Sequence, residues 1–200
     1  MTEDRSWFAA RDHRAPFAIG EDARSWGDFL ADADRLAGRS RSLSPGTAPS
    51  SRELMVACDD RYHCAVSLLA IWSTGGVAAL PPHGRPETVD GLCRERRISL
   101  VLHDGGGERG LDVRTIIGAG AANAAEIPQA PMTGQPAPLA RLWWDAAHPL
   151  VCLYTSGSTG AHVACVKTAG QLLGEAQLLV KLFELGAGTR VLAKIGRAHV

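Results

Sequence analysis

The seven residues Tyr154-Thr155-Ser156-Gly157-Ser158-Thr159-Gly160 are the most informative stretch of this 200-residue chain. They follow the apolar run Pro149-Leu150-Val151-Cys152-Leu153, which predicts a buried strand. Glycine lets the main chain adopt conformations closed to other residues and lets an anion approach the backbone amides. Successive N–H groups in such a turn form a concave anion site, and Ser and Thr hydroxyls add donors. The stretch therefore predicts a loop that binds a polyphosphate.

This loop differs from the common P-loop. The Walker pattern requires a second glycine, followed by lysine and then Ser or Thr, at a fixed distance from the first glycine. Counting from Gly157, the position of that second glycine is occupied by His162. A different kind of phosphate-binding loop is therefore expected.

Composition and charge limit the class of protein. Hydrophobic residues make up 46% of the chain and charged residues 21%, which is ordinary for a globular protein with a buried core. The 21 basic residues balance 21 acidic residues and form no basic block, so nucleic acid is not an expected partner. The five cysteines lack the paired spacing of zinc or redox sites, which predicts reduced, buried thiols.

The N-terminus favours a cytoplasmic protein. Residues 1–14 are charged and lack the apolar core of a signal peptide. The longest apolar region, residues 65–80, is interrupted by Ser73-Thr74-Gly75-Gly76 and is too short to span a bilayer. No membrane span is expected.

Helical and strand patterns alternate along the chain. Ser25, with Asp28 three residues later, predicts a capping box at the start of the first helix, and a loop is expected over 40–51. Asp59 and Asp60 are expected to cap the next helix. Further strands are predicted at 53–58, 77–80, 98–102, 113–117, 150–154, 162–166 and 190–193, and further helices at 61–73, 86–96 and 170–185. This order predicts an α/β fold with a parallel sheet built from βαβ units with right-handed crossovers.

The seven-residue stretch resembles the phosphate-binding motif of the adenylate-forming enzymes, the superfamily of acyl-CoA synthetases, aryl-acid ligases, luciferases and peptide-synthetase adenylation domains. The match to Tyr-Thr-Ser-Gly-Ser-Thr-Gly is complete. Residues 67–82 resemble the helix, double-glycine turn and strand of the same family. Ile19-Gly20 and residues 25–37 resemble its opening strand and helix. The resemblance covers the chain from about residue 18 to 193.

The resemblance implies an activity and its ligands. In this family the loop holds the β- and γ-phosphates of ATP, with Mg²⁺, while a substrate carboxylate attacks the α-phosphate to give an acyl adenylate. The acyl group then passes to the thiol of coenzyme A or to the phosphopantetheine of a carrier protein. A small carboxylic acid is therefore the implied substrate, and an acyl carrier protein is an implied partner. The residues implied to bind ATP are Thr155, Ser156, Gly157, Ser158, Thr159 and Gly160.

The sequence departs from the family pattern directly after the loop. The usual continuation is x-Pro-Lys, whereas this chain has Ala161-His162-Val163. Lys167 follows four residues later and is the candidate substitute for the missing lysine, although a solvated strand end explains it equally well. His162 adjoins the loop and is a second candidate for contact with phosphate. The arrangement resembles a branch associated with aryl-polyene and xanthomonadin-type pigment gene clusters, which implies an aromatic acid as substrate.

The resemblance divides the chain into an N-terminal segment (1–17), a partial AMP-binding N-terminal domain (18–194) and a tail (195–200). The tail matches one reading frame of a widely used sequencing-library adapter, so a non-native end is expected. The adenine-binding segment, most of the acyl pocket and the small C-terminal domain with its catalytic lysine are expected further along, which predicts an inactive fragment. Two alternatives stay open, a non-catalytic nucleotide- or phosphate-binding module and a degenerate carrier-protein partner without chemistry.

Overall fold

The computed structural model describes residues 12–18, 23–43, 53–105, 110–117, 144–156, 162–186 and 188–191. Four helices and eight strands follow one another within these ranges. In chain order they are β1 (Pro16–Ala18), β2 (Arg24–Ser25), α1 (Trp26–Leu43), β3 (Glu53–Ala57), α2 (Arg61–Ser73), β4 (Val77–Leu80), α3 (Pro86–Arg96), β5 (Val101–His103), β6 (Leu111–Asp112), β7 (Pro149–Ser156), β8 (His162–Thr168) and α4 (Ala169–Leu182).

The main sheet has six strands in the order β6-β5-β3-β4-β7-β8. All its neighbours pair in parallel except β7 and β8, which form an antiparallel hairpin at one edge. Strands β1 and β2 form a separate two-stranded sheet. The predicted α/β fold with parallel βαβ units is confirmed.

Helices cover both faces of the main sheet. On one face, α1 and α2 bury a core that includes Leu36 and Leu69 against alternate strand residues such as Leu54. On the other face, α3 packs Leu92 against Met55 and the neighbouring strands. Buried side chains on both faces explain the continuous apolar runs of the central strands.

Two helix boundaries follow the local sequence signals. The predicted capping box is present, because Ser25 Oγ accepts from the backbone N–H of Asp28 and the Asp28 carboxylate accepts from the backbone N–H of Ser25. At the end of α2, Gly75 adopts a φ of 75°, a conformation that glycine enters without strain. The predicted stop at the double glycine is confirmed.

Several boundaries differ from the prediction. Helix α1 continues to Leu43, four residues into the expected loop. The strand expected at 98–102 begins only at Val101, because Arg97 takes a left-handed conformation and the N–H of Ile98 caps α3 at the Cys93 carbonyl. The strand expected at 113–117 is wrong: Asp112 accepts from the N–H of Arg114 and starts a 3-10 turn, and the strand is the pair 111–112 before it.

Other predictions fall partly outside the described residues. Residues 190 and 191, described at the start of the strand expected over 190–193, are not in a strand. Ile19 and Gly20 lie outside the described ranges, and β1 ends just before them. The prediction of buried thiols is right for Cys152 and wrong for Cys165, which is exposed because β8 is an edge strand.

Helix α4 carries an apolar surface that faces solvent. Of its residues only Ala169, in the first turn, is buried. The exposed large apolar side chains of α4 and of the residue that follows it are Leu178, Leu179, Val180, Leu182 and Phe183. None of the helices in the described ranges has both the length and the hydropathy needed to cross a lipid bilayer.

Candidate functional site

Strand β7 brings the predicted phosphate loop to the carboxyl edge of the sheet. It lies between β4 and β8, and its first half is buried at Leu150, Val151 and Cys152. Because β3, β4, β5 and β7 run in parallel, their carboxyl ends lie at the same edge, where ligand sites of α/β sheets form. Thr155, next to the end of β7, is exposed there.

The hairpin closes directly around the loop. Ser156, the last residue of β7, pairs with His162, the first residue of β8. The expectation that the loop joins two strands, rather than a strand and a helix, is confirmed. Of the residues implied to bind ATP, the structure describes Thr155 and the strand backbone of Ser156. Gly157, Ser158, Thr159 and Gly160 lie outside the described residues.

Lys167 is not brought next to the loop. It lies five residues beyond His162 along β8 and pairs with Val151, so the two positions are about 16 Å apart. Its Nζ is 2.5 Å from Oε1 of Glu175 on α4, and this carboxylate raises the pKa of Lys167. This placement fits the alternative interpretation of Lys167 as a residue at the far end of the strand.

His162 is the basic side chain nearest the loop among the described residues of β8. It is half-buried, and its Nδ1 is buried with no hydrogen-bond partner in the described part of the chain. An imidazole nitrogen can donate or accept depending on its tautomer. His162 can therefore offer a donor beside the loop.

Two tryptophans hold the start of β7. Trp72 Nε1, from the end of α2, donates to the Leu150 carbonyl at 2.8 Å. Trp144 Nε1 donates to the Trp72 carbonyl at 3.3 Å, and the two rings meet edge to face with centroids 6.0 Å apart. Trp144 therefore packs against the end of α2 next to the start of β7.

A chain of hydrogen bonds holds the other end of β7, and sequence reasoning missed it. The buried hydroxyl of Tyr154 donates to Glu53 Oε2 at 3.0 Å and accepts from Arg96 Nε at 2.9 Å. Burial raises the pKa of Tyr154, and Cys152 and Glu53 raise it further. The available signal was the tyrosine itself, because a buried tyrosine hydroxyl usually has a partner.

A second polar group lies at the same edge of the sheet. Asp104, just after β5, accepts from the backbone N–H of Asp59 and of Asp60 at 2.8 Å each, and from His63 Nδ1 at 3.0 Å. Burial alone would raise the pKa of Asp104, but these donors outweigh it and lower the pKa. Asp60 also caps α2 by accepting from the N–H of His63, as predicted. This group joins β3, β5 and α2, and a structural role for His63 agrees with it.

The family model for AMP-binding enzymes matches residues 6–200 of the chain. The chain belongs to this family. Its membership of the adenylate-forming superfamily, inferred from the loop and the double-glycine segment, is confirmed. Comparison with curated protein sequences finds no significant match.

Solved structures of adenylate-forming enzymes share the fold. Apo MatB from Rhodopseudomonas palustris is 17% identical over 90% of this chain and 37% of its own, with a TM-score of 0.64. O-succinylbenzoate coenzyme A synthetase (MenE) from Bacillus subtilis, in complex with AMP, is 17% identical over 87% of this chain and 44% of its own, with a TM-score of 0.64. The N-terminal subdomain of Klebsiella oxytoca NpsA, in complex with 3-hydroxybenzoyl-AMSN, is 19% identical over 77% of this chain and 36% of its own, with a TM-score of 0.52. The chain thus spans less than half the length of each.

Proposed function

We propose that the complete protein activates a carboxylic acid with ATP. A carboxylate oxygen attacks the α-phosphorus, pyrophosphate leaves, and the acyl adenylate then acylates the thiol of coenzyme A or of a carrier protein's phosphopantetheine, releasing AMP. The observation that carries the proposal is the family match over residues 6–200, together with a hydroxyl- and glycine-rich segment at the carboxyl edge of the sheet.

The loop supplies fixed donors for the phosphates. Negative charge spreads over the phosphoryl oxygens during the transfer, and donors fixed in advance lower the barrier. We assign the β- and γ-phosphates of ATP to residues 155–160. Mg²⁺ would be held largely by the phosphates themselves, as is usual for this ion. Among the described residues no group of three or more His, Cys, Asp or Glu side chains is arranged to hold a metal, so no protein ligand is assigned to it.

His162 is a better candidate than Lys167 for the place of the missing lysine. It adjoins the loop, whereas Lys167 lies at the far end of β8 and is paired with Glu175. We expect His162→Ala to raise the KM for ATP of the complete protein severalfold and Lys167→Ala to leave it unchanged. A raised KM for ATP in Lys167→Ala, with an unchanged KM in His162→Ala, would instead assign Lys167 to the place of the missing lysine.

An aromatic acid is the proposed substrate class. Its support is the resemblance to the pigment-cluster branch, together with the fold shared with NpsA, whose bound ligand contains a 3-hydroxybenzoyl group, and with MenE, an O-succinylbenzoate coenzyme A synthetase. A carrier protein is the proposed acceptor alongside coenzyme A. The A-PCP structure of McyG with phenylalanyl-adenylate, which shares the fold at a TM-score of 0.60, suggests a carrier-protein assay.

Acid-dependent ATP–pyrophosphate exchange by the complete gene product tests the activity. The double variant Ser156→Ala/Thr159→Ala removes two loop hydroxyls and should reduce exchange about 100-fold. Its matched control is Ser73→Ala/Thr74→Ala, which removes the same two kinds of hydroxyl from the end of α2, where they bond to Ala70 and Ile71 carbonyls. Equal rates for both double variants would mean that the loop hydroxyls do not serve catalysis.

We also propose that the 200-residue chain alone is inactive. Residues 18–194 are proposed to form a partial domain between an N-terminal segment and a non-native tail, and the protein is proposed to be cytoplasmic. It covers at most 44% of the three structures compared above, which supports this proposal. Robust exchange by the isolated chain would overturn it. The second candidate is a non-catalytic nucleotide-binding module, favoured by the absent lysine. ATP binding by the complete protein, without exchange for any aromatic or fatty acid, would establish that candidate instead.

A further inference from the structure

Three side chains from different elements meet above one face of the sheet. Tyr154 lies on β7, Glu53 begins β3 and Arg96 ends α3. The Tyr154 hydroxyl lies between the other two: it accepts from Arg96 and donates to Glu53. Arg96 also lies 3.6 Å from the Glu53 carboxylate and over the face of the Tyr154 ring. The tyrosine hydroxyl therefore bridges an ion pair.

The strand register shows which ends of β3 and β7 this bridge connects. Met55 on β3, Ala79 on β4 and Cys152 on β7 lie side by side in one row across the sheet. Glu53 is two residues from that row toward the amino edge, and Tyr154 is two residues from it toward the carboxyl edge. The bridge therefore links the carboxyl end of β7 to the opposite end of β3.

On its outer side, the end of β7 is supported by strand pairing that continues to Ser156 and His162. Its neighbour there is the edge strand β8, where Val163 is 58% exposed and Val166 is 52% exposed. Thr155, directly after Tyr154, is itself exposed. Tyr154 is the last buried side chain before the segment assigned to ATP, so its partners add to this pairing in holding the strand end.

We propose that the Arg96–Tyr154–Glu53 chain positions the phosphate-binding end of β7, so that Tyr154 and Arg96 are positioning residues for ATP. The inference rests on the proposed function for its effect on catalysis. Its structural part, that the chain orders the strand end at Thr155 and Ser156, is independent of that function. The two parts are tested by different measurements on the complete gene product.

Hydrogen exchange without nucleotide tests the structural part. Tyr154→Phe keeps the buried ring and removes only the hydroxyl. Exchange of the amides at 155–156 and 162–163 should rise about threefold to tenfold, the factor that corresponds to one lost hydrogen bond. Arg96→Met should act in the same direction, and because Arg96 is a surface residue it serves as the second variant if Tyr154→Phe fails to fold.

Tyr62→Phe is the matched control. The Tyr62 hydroxyl also donates to a carboxylate, Asp32 Oδ2 at 2.7 Å, but it lies in the α1–α2 layer on the other face of the sheet. This variant loses the same kind of bond and should leave exchange at the end of β7 unchanged. Equal acceleration there by Tyr62→Phe and Tyr154→Phe, or none by Tyr154→Phe and Arg96→Met, would overturn the proposal.

Kinetics test the catalytic part. Tyr154→Phe and Arg96→Met should raise the KM for ATP severalfold and leave the KM for the acid unchanged, whereas Tyr62→Phe should change neither. An unchanged KM for ATP in both Tyr154→Phe and Arg96→Met would refute the catalytic part. If the wild-type protein shows no exchange with any acid, the proposed function fails, and the hydrogen-exchange result still decides whether the three residues order the strand end.

Discussion

Replacement of Asp104 by asparagine is expected to destabilise the fold strongly because three donors converge on this one carboxylate. Its Oδ1 accepts from the N–H of Asp59, and its Oδ2 accepts from the N–H of Asp60 and from His63. The side chain is 5% exposed, so water does not replace these bonds easily. Asparagine keeps one oxygen and turns an NH₂ group toward donors on the other side.

The magnitude follows from the bonds lost. Asparagine loses one or two charge-assisted hydrogen bonds and places its amide NH₂, a donor, opposite another hydrogen-bond donor. Hydrogen bonds to charged groups contribute about 1.5–3 kcal/mol each, so Asp104→Asn should lower the free energy of unfolding by about 2–3 kcal/mol at pH 7. Asp145→Asn is the control, because the Asp145 carboxylate accepts one backbone N–H, from Ala147, which an amide oxygen can also accept.

The pH dependence separates this account from a general loss of packing. The folded-state pKa of Asp104 is lowered, so its contribution to stability is present above the unfolded value of about 3.9 and is lost as the pH falls through the folded value. In urea unfolding at pH 7, 5, 4 and 3, the difference between wild type and Asp104→Asn should be constant down to about pH 5 and then shrink. A difference below about 0.5 kcal/mol at pH 7, or one of equal size at pH 7 and pH 3, would refute the reasoning.

Three further perturbations have expected outcomes. Gly110 has a φ of +107°, and an added Cβ would lie 2.2 Å from the Val101 carbonyl oxygen. Gly110→Ala should therefore lower the free energy of unfolding in urea by about 3 kcal/mol or more, and a loss under about 1 kcal/mol would contradict this contact. Trp72→Phe loses the donor to the Leu150 carbonyl and part of a half-buried ring, and should lower the free energy of unfolding by about 1–2 kcal/mol. Unchanged stability would mean that Trp72 does not anchor β7. The exposed apolar surface of α4 should make the 200-residue chain self-associate, and Leu178→Lys should reduce its apparent mass in sedimentation. A wild-type chain that sediments as a monomer would disprove this prediction.

The elements that could be predicted are those specified by neighbouring residues. The Ser25–Asp28 capping box and the double-glycine stop of α2 each depend on groups within a few positions. The apolar run before the loop predicted β7, and the short spacing to the next apolar run predicted the hairpin. In each case the physical cause and the sequence signal lie in the same short segment.

The contacts that could not be predicted join distant positions. Glu53 and Tyr154 are 101 residues apart, and Asp104 lies 44 and 45 residues from the backbone groups that it accepts from. No periodic pattern records such pairs, because each depends on which strands become neighbours in the sheet. The late start of β5 has another cause: Arg97 adopts a left-handed conformation that residues other than glycine rarely take, and nothing in its local sequence indicates this conformation.

Two carboxylates at the carboxyl edge of the sheet bear on the proposal that the loop binds phosphate without its customary lysine. Asp104 accepts from His63 and from the N–H of Asp60, and the Asp60 carboxylate caps α2. They also follow β5 and β3, and β3 is separated from β7 by β4, so the nearer of them lies about 10 Å from the end of β7. That distance exceeds the Debye length of about 8 Å at physiological ionic strength, so the repulsion of a bound phosphate by the exposed Asp60 is largely screened. The buried Asp104 lies one strand further away. Under the proposed function, the energy of phosphate binding at the end of β7 therefore depends on nearer groups, for which we propose the loop amides and hydroxyls and the imidazole of His162.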